Sequence, residues 1–405
     1  MALAAISGAL TAPRLSPHSR IREIASARFY RPELDLLRFF AFLCVFFHHG
    51  LPGFEATSHM GRALPFVRSW NVAKQAGSFG VCLFFVLSAY LITELLERER
   101  IRTGTIQIKS FYVRRILRIW PLYFTFLAAG VVLGKFLPAY RVETGRLIAF
   151  ILLSGNWYSA VGGCGVSPIA PLWSISIEEQ FYLAWPWVAK LGNTVSLWRV
   201  SLLILPLSWA AIIWLSRFGT LAKHEIWTNS FVQFQFFAIG TLLALVLRRR
   251  TPSLRTMVRV GLFIAGLLCW FVAQAIFRIK DDTVMDSPES LLLGYAFVAA
   301  GCILFFFTFL GISGLLVSRR LTYLGKISYG LYVFHLLALD FAWKIAASQL
   351  PIIRGIGRVP VAHFLVVELA ALGSTMLLAE ASYKFLEKPF LQLKERFALV
   401  ESRMI

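Results

Sequence analysis

The sequence predicts an all-α, polytopic integral membrane protein with about ten transmembrane helices and both termini in the cytoplasm. Three observations predict it. Of 405 residues, 58% are hydrophobic and only 15% are charged, whereas about a quarter of a soluble domain is charged; the mean hydropathy is +0.69. Apolar runs long enough for a bilayer recur along the whole chain. They are continuous rather than alternating, which argues against a β-barrel. Basic residues, finally, gather in clusters between those runs, as cytoplasmic loops do.

In chain order the runs fall near 36–51, 78–95, 119–137, 172–190, 199–216, 230–247, 257–277, 290–310, 325–348 and 361–382. A shorter run, about 147–158, is ambiguous, and charge settles it. The chain start carries Arg14, Arg20, Arg22, Arg28 and Arg31. Residues 94–118 carry seven Lys/Arg, residues 248–260 five Arg, and the tail Lys384, Lys388, Lys394, Arg396 and Arg403. Eleven spans would put the Arg248–Arg250 cluster outside. Ten spans, with 147–158 re-entrant or interfacial, put every basic cluster inside: 27 Lys/Arg against 12 in the outer segments. The net charge of +20 is thus read as positive-inside bias, and no nucleic-acid partner is expected. Cys44, Cys82, Cys164, Cys269 and Cys302 are scattered without a CxxC pair, so neither a metal nor a disulfide is indicated. Residues 1–17 lack the basic start, long apolar core and cleavage site of a signal peptide.

The first run, LDLLRFFAFLCVFFHHG (34–50), holds Asp35, Arg38, His48 and His49. At about 100° per residue, eleven steps bring His49 to within about 20° of Arg38, and Asp35 lies one turn before it. These three share a face, and His48 points about 100° away from His49. An ionised group at the bilayer centre costs about 2.5–3.5 kcal/mol or more, so such groups line a cavity or pair within the bundle. Either Asp35 and Arg38 pair near the interface with the histidines as interfacial polar residues, or His49 is a general base, the work histidine does best near neutral pH.

Five further strings follow: GVCLFFVLSAYLIT (80–93), FYVRRILRIWPLYF (111–124), PLWSISIEEQFYLAWP (171–186), LGKISYGLYVFH (324–335) and SYKFLEKPF (382–390). In this order, with RPELDLLRFFAFLCVFFHH (31–49), they resemble the membrane-bound acyltransferase family 3 over roughly residues 30–392. The resemblance implies a ten-helix membrane domain at 31–392 between a cytoplasmic segment (1–30) and a cytoplasmic tail (393–405). It implies a cytoplasmic acyl-CoA donor, acetyl-CoA foremost, used as a co-substrate rather than a resident cofactor. It implies a hydroxyl acceptor on a carbohydrate or glycolipid, and a multi-pass location in a bacterial inner membrane.

The family's arginine-to-histidine spacing in the first helix maps to Arg38 and His49. The doubled histidine is a departure that keeps His48 as an alternative. Ala89, where the family has a glycine after serine, is another. The family's arginine-x-x-arginine element maps to Arg115 and Arg118, and Arg114 shares a helix face with Arg118. Planar guanidinium forks suit the phosphates of coenzyme A, although three arginines at the foot of a span also serve as ordinary anchors. Glu178 is taken by resemblance as the glutamate of the family's SxxE element, standing four residues after Ser174 and, as SxE, two after Ser176. It is expected to tune His49 or bind the acceptor hydroxyl, with Glu179 second. Trp173, Ser176, Glu179 and His335 are the candidate acceptor contacts. The stripe Tyr329, Tyr332, His335 reads first as packing with one hydrogen-bonded histidine. Pro389 reads as the stop of the last helix, with Glu387 pairing with a basic neighbour.

The leading expectation is an integral membrane O-acyltransferase acting on a sugar hydroxyl. No GxSxG serine and no reactive cysteine competes for the nucleophile role. The other class is a transporter or flippase whose intramembrane charges line a solute path; the absence of matching sequence halves counts against it.

Overall fold

Pro32 opens the first helix, where its missing N–H needs no partner, and Glu33 and Asp35 in the first turn complement the helix dipole. The helix, α1, spans Pro32–Gly50 and carries the two histidines in its last turn. The computed structural model describes residues 29–51, 65–163, 167–219, 223–248, 250–280, 287–312, 317–354 and 361–397. Arg14, Arg20, Arg22, Arg28, Cys164, Arg403 and the signal-peptide question at 1–17 lie outside the described residues.

Among the described residues there are helices and no strands. They run α2 Pro65–Ala76, α3 Gly80–Thr103, α4 Ile108–Phe136, α5 Thr144–Ile151, α6 Gly155–Gly162, α7 Leu172–Leu191, α8 Thr194–Phe218, α9 Lys223–Thr228, α10 Ser230–Leu247, α11 Thr256–Ala275, α12 Pro288–Phe309, α13 Arg319–Lys326, α14 Ser328–Arg354, α15 Val361–Ser382 and α16 Lys388–Glu395. Backbone groups in hydrocarbon must be satisfied within the segment, which leaves helices as the means of crossing for this sequence. Asn193, Asn229 and Ser287 cap α8, α10 and α12 by accepting backbone N–H groups with their side chains.

Among the described residues, seven segments are long and apolar enough to cross a membrane: Arg68–Thr103, Ile108–Phe136, Thr194–Phe218, Ser230–Leu247, Thr256–Ala275, Pro288–Phe309 and Phe364–Glu395. They coincide with seven of the ten expected runs. The other three runs are also helical, as α1, α7 and α14, with 19, 20 and 27 residues. Their shortfall is in apolarity: α1 carries Glu33, Asp35 and Arg38, α7 carries Glu178, Glu179 and Lys190, and α14 carries Asp340 and Lys344. The ambiguous run at 147–158 folds into the short α5 and α6, joined through Leu153 at φ 55°. Eight residues span about 12 Å, so neither helix crosses by itself.

Leu202, Leu203 and Leu207 of α8, Ile264, Leu267 and Leu268 of α11, and Leu365, Val366 and Leu369 of α15 are exposed. They form the faces a bilayer would cover. Inside, α11 packs on α12, α10 on α3 and α14 on α15, while α1 sits centrally against α3, α12, α13 and α14. Glycines set how closely its neighbours approach. A Cβ on Gly80 would lie 2.5 Å from the Ala41 carbonyl oxygen, and one on Gly77 or Gly325 would overlap the carbonyl of Cys44 or Asp35. Small residues at such crossings are the usual means of close packing in membranes. They hold α1 so that its polar face looks into the bundle.

Arg259 of α11, 6% exposed, closes the C-terminus of α12. It donates to the carbonyls of Thr308 (2.6 Å), Leu310 (2.8 Å) and Phe307 (3.3 Å), and to Leu254 at 3.2 Å. Arg259→Met leaves these carbonyls short of a donor, and each buried orphan costs about 1–3 kcal/mol. A fall in thermal unfolding temperature in detergent, beyond that of a lipid-facing Leu203→Ala control, is the expected result. An unchanged temperature would show that the cap contributes little.

Pro389 does not stop the last helix. Residues Tyr383–Glu387 form a π-turn, and the chain continues into α16 with Pro389 in its first turn, where proline is tolerated. Glu387 is buried and accepts from Ser382 Oγ at 3.2 Å.

Candidate active site in two cavities

The first cavity, about 180 Å³, opens at the N-terminal end of α1. Asp35, 1% exposed, accepts from Arg38 Nη1 at 2.8 Å. Arg115 and Arg118 enter from α4, one helical turn apart. The Arg115 guanidinium lies 5.6 Å from the Phe111 ring centroid and 5.7 Å from that of Tyr182, a cation–π arrangement. Its Nε has no hydrogen-bond partner among the described residues. From α7 come Ser174, Glu178 and Tyr182, spaced by four and therefore on one face. Glu178 Oε1 accepts from both Ser88 and Tyr182. Arg31, Arg38, Arg115, Arg118 and Lys394 line this cavity against the carboxylates Asp35 and Glu178. The excess of cations suits an anionic ligand.

The second cavity, about 570 Å³, lies at the other end of α1 and contains His48 and His49. Around them stand Trp173, Trp227, Tyr140, Lys280 and Asp340. The Lys280 ammonium sits 4.6 Å from the Trp227 ring centroid. His49 is exposed to the cavity, while His48 is half-buried. The His48 Nδ1 lies 3.1 Å from the Lys74 carbonyl. A carbonyl only accepts, so Nδ1 carries the proton. The two imidazoles are 4.7 Å apart, and the ring of His335 is 5.3 Å from that of His49.

Arg38 and His49 therefore share a face of α1, as their spacing predicts, but they open into different cavities. Eleven residues of helix separate them by roughly 16 Å. Two side chains line both cavities, Val81 and Tyr332. The Tyr332 hydroxyl lies 2.6 Å from Ser174 Oγ and donates to the Pro171 carbonyl at 3.3 Å. Tyr332 thus contributes to the walls of both cavities and is tied to the start of α7.

The remaining candidates have other surroundings. Arg114 lines neither cavity; it pairs with Glu99 at 2.9 Å and donates to the Phe397 carbonyl at 2.9 Å, fastening the residues just after α16 to α4. Glu179 accepts from Trp120 Nε1 at 3.0 Å. Ser176 is buried and donates to the Leu172 carbonyl at 3.4 Å. His335 is fully buried, and its Nε2 has no hydrogen-bond partner among the described residues. A buried acceptor left unpaired costs about 1–3 kcal/mol, which calls for a reason. Sequence reasoning missed Ser88, Tyr182, Tyr140, Trp227 and Lys280. Tyr182 was within reach, four residues after Glu178 and so on its face; the other four come from distant segments.

Comparison with known proteins bears on what these cavities do. A family model described as an acyltransferase domain matches residues 31–380. A Bacillus subtilis (strain 168) protein named "Putative peptidoglycan O-acetyltransferase YrhL" is 30% identical over 383 residues, covering 89% of this chain and 55% of the relative. The O-acetyltransferase OatA of Staphylococcus aureus (strain NCTC 8325 / PS 47) is 27% identical over 400 residues, covering 91% of this chain and 58% of that protein. The chain spans a little over half the length of these relatives. No solved structure matches it.

Proposed function

We propose, on the premise that this chain belongs to the acyltransferase 3 family, that it is a membrane O-acyltransferase moving acetyl from acetyl-CoA to a carbohydrate hydroxyl, with His49 as the general base. The observation that carries this reading is the pair of cavities with Val81 and Tyr332 in the walls of both, arginines in one and histidines in the other. Acyl transfer to an alcohol needs a grip on the donor and a base for the hydroxyl. Arg38, Arg115 and Arg118 grip the phosphates of coenzyme A in the first cavity. The pantetheine arm passes between Val81 and Tyr332 and brings the thioester to His49. The acceptor sugar enters the second cavity, where Trp173, Trp227 and Tyr140 offer rings for its apolar faces.

His49 takes the hydroxyl proton as the oxygen attacks the thioester carbonyl. The tetrahedral intermediate collapses, the carbon–sulfur bond breaks, and the coenzyme A thiolate takes the proton from His49. The products are an acetyl ester and free coenzyme A, and no group on the enzyme is consumed. Glu178, in the first cavity, holds Tyr182 beneath Arg115 and so orients the donor grip. The arginine cavity faces the cytoplasm, as the basic clusters at 94–118 and in the tail suggest, within ten spans of a bacterial inner membrane; the acceptor arrives from the opposite side. O-acetyltransferase names among the relatives support a carbohydrate acceptor.

Mass spectrometry of surface and secreted glycans, in cells with and without the chain, is the test. Acetyl esters on one carbohydrate fraction should disappear without the chain and return with it. Unchanged esters, together with an altered distribution of a glycan across the membrane, would favour transport instead.

A further inference from the structure

We propose that His335 is a positioning residue for His49, a neutral imidazole whose unpaired Nε2 is placed to take the N–H of His49 when the acceptor binds and so to decide which nitrogen of His49 faces the acceptor hydroxyl. This rests on the reading of His49 as the base. His335 sits on α14 one turn beyond Tyr332, and its ring is 5.3 Å from that of His49. Its Nδ1 lies 2.5 Å from the Tyr332 carbonyl. The carbonyl cannot donate, so Nδ1 carries the proton, and in a neutral ring Nε2 is then an acceptor. That acceptor is fully buried and has no hydrogen-bond partner among the described residues. Among the described residues the His335 ring has three aromatic neighbours, with centroids at 6.4 Å (Phe42), 5.5 Å (Tyr332) and 5.3 Å (His49). Of these three rings, only His49 carries an N–H.

A histidine base must hold its own proton on the nitrogen away from the substrate. In the Ser-His-Asp triad a buried aspartate receives that N–H and fixes the tautomer. Here a second imidazole does so, with its own tautomer fixed by a backbone carbonyl. The proton between the two rings stays on His49 throughout; the proton taken from the hydroxyl leaves on the coenzyme A thiolate. The same turn of α14 presents Tyr332 to both cavities and His335 to the base. The passage for the donor arm and the orientation of the base are therefore set by one rigid element.

The test uses membrane vesicles from cells making the full chain, with radiolabelled acetyl-CoA as the probe and label in endogenous carbohydrate as the readout. His335→Leu removes the acceptor atom, and His335→Gln supplies a carbonyl oxygen in its place. The leucine variant should lose about 10²-fold or more in maximal rate, by analogy with a triad that has lost its orienting group, with KM for acetyl-CoA essentially unchanged. The glutamine variant should recover a large part of that loss. In the double variant with His49→Ala the losses should not multiply, as for groups acting as a unit.

A wild-type rate in His335→Leu, with His49→Ala inactive, overturns this inference alone. Activity in His49→Ala overturns the reading of the base beneath it. Glutamine no better than leucine, with both variants binding acetyl-CoA normally, overturns positioning in favour of packing. If the leucine variant fails to accumulate, His335→Gln decides: normal acetyl-CoA binding without activity overturns the inference, and retained activity supports it.

Discussion

His49→Ala is expected to lower acetyl transfer by about 10²–10⁴-fold, the range for loss of a general base, while acetyl-CoA affinity stays near wild type. The separation follows from the geometry. The His49 ring is exposed to the second cavity, and the arginines lie in the first, with Arg38 roughly 16 Å from His49 along α1. Truncating a ring that already faces a cavity opens no void in the packed core, so insertion and yield should also hold. His48→Ala should behave differently. It forfeits the bond to the Lys74 carbonyl, which ties the end of α1 to α2, so its first effect should be on stability with a smaller loss of rate. Parallel measurement of transfer and acetyl-CoA binding in the two variants decides between them. Near-wild-type transfer in His49→Ala with a dead His48→Ala would make His48 the base.

The first helix was the most legible part of the site. Its face of Asp35, Arg38 and His49 follows from the helical period, because α1 is a regular helix over that stretch. The all-α architecture and the short, non-crossing character of residues 147–158 were legible too, from apolar run length and the placement of arginines. The division of that face between two cavities was not, because it depends on how α3 and α14 lean against α1 and how α7 leans against α3. That lean is set by contacts such as Gly80 on the Ala41 carbonyl, which no periodicity encodes. The three helices that fall short of spanning apolarity, α1, α7 and α14, each supply residues to both cavities. Low hydropathy in an otherwise suitable span was therefore itself a pointer to the site. The stripe Tyr329, Tyr332, His335 shows the converse limit. Its spacing reveals a shared face, but only the surroundings show that Tyr332 lines both cavities and that the Nε2 of His335 has no partner among the described residues.

Arg115→Ala combined with Arg118→Ala is expected to weaken acetyl-CoA binding by about 10²-fold or more. A hydrogen bond to a charged group contributes about 1.5–3 kcal/mol, and two lost together exceed the 2.8 kcal/mol or so that a hundredfold represents. The alternative is that these side chains anchor the foot of a span by positive-inside bias. Three features favour the donor. Arg115 is stacked on Phe111 and Tyr182 instead of reaching for the interface. Its Nε is unpaired among the described residues. Both arginines line a cavity that already holds Arg31, Arg38 and Lys394, an assembly of like charges that an anionic ligand relieves. Arg114 provides the internal control, because it has the anchor's role: paired with Glu99 and the Phe397 carbonyl, it should cost stability on removal and leave donor affinity intact. Arg115→Lys should restore little, since an ammonium replaces neither the planar stacking nor the two-pronged grip. Equilibrium binding of radiolabelled acetyl-CoA to the purified chain separates the cases. Unchanged affinity in the double variant would return both arginines to the anchor role and require the donor to be held elsewhere.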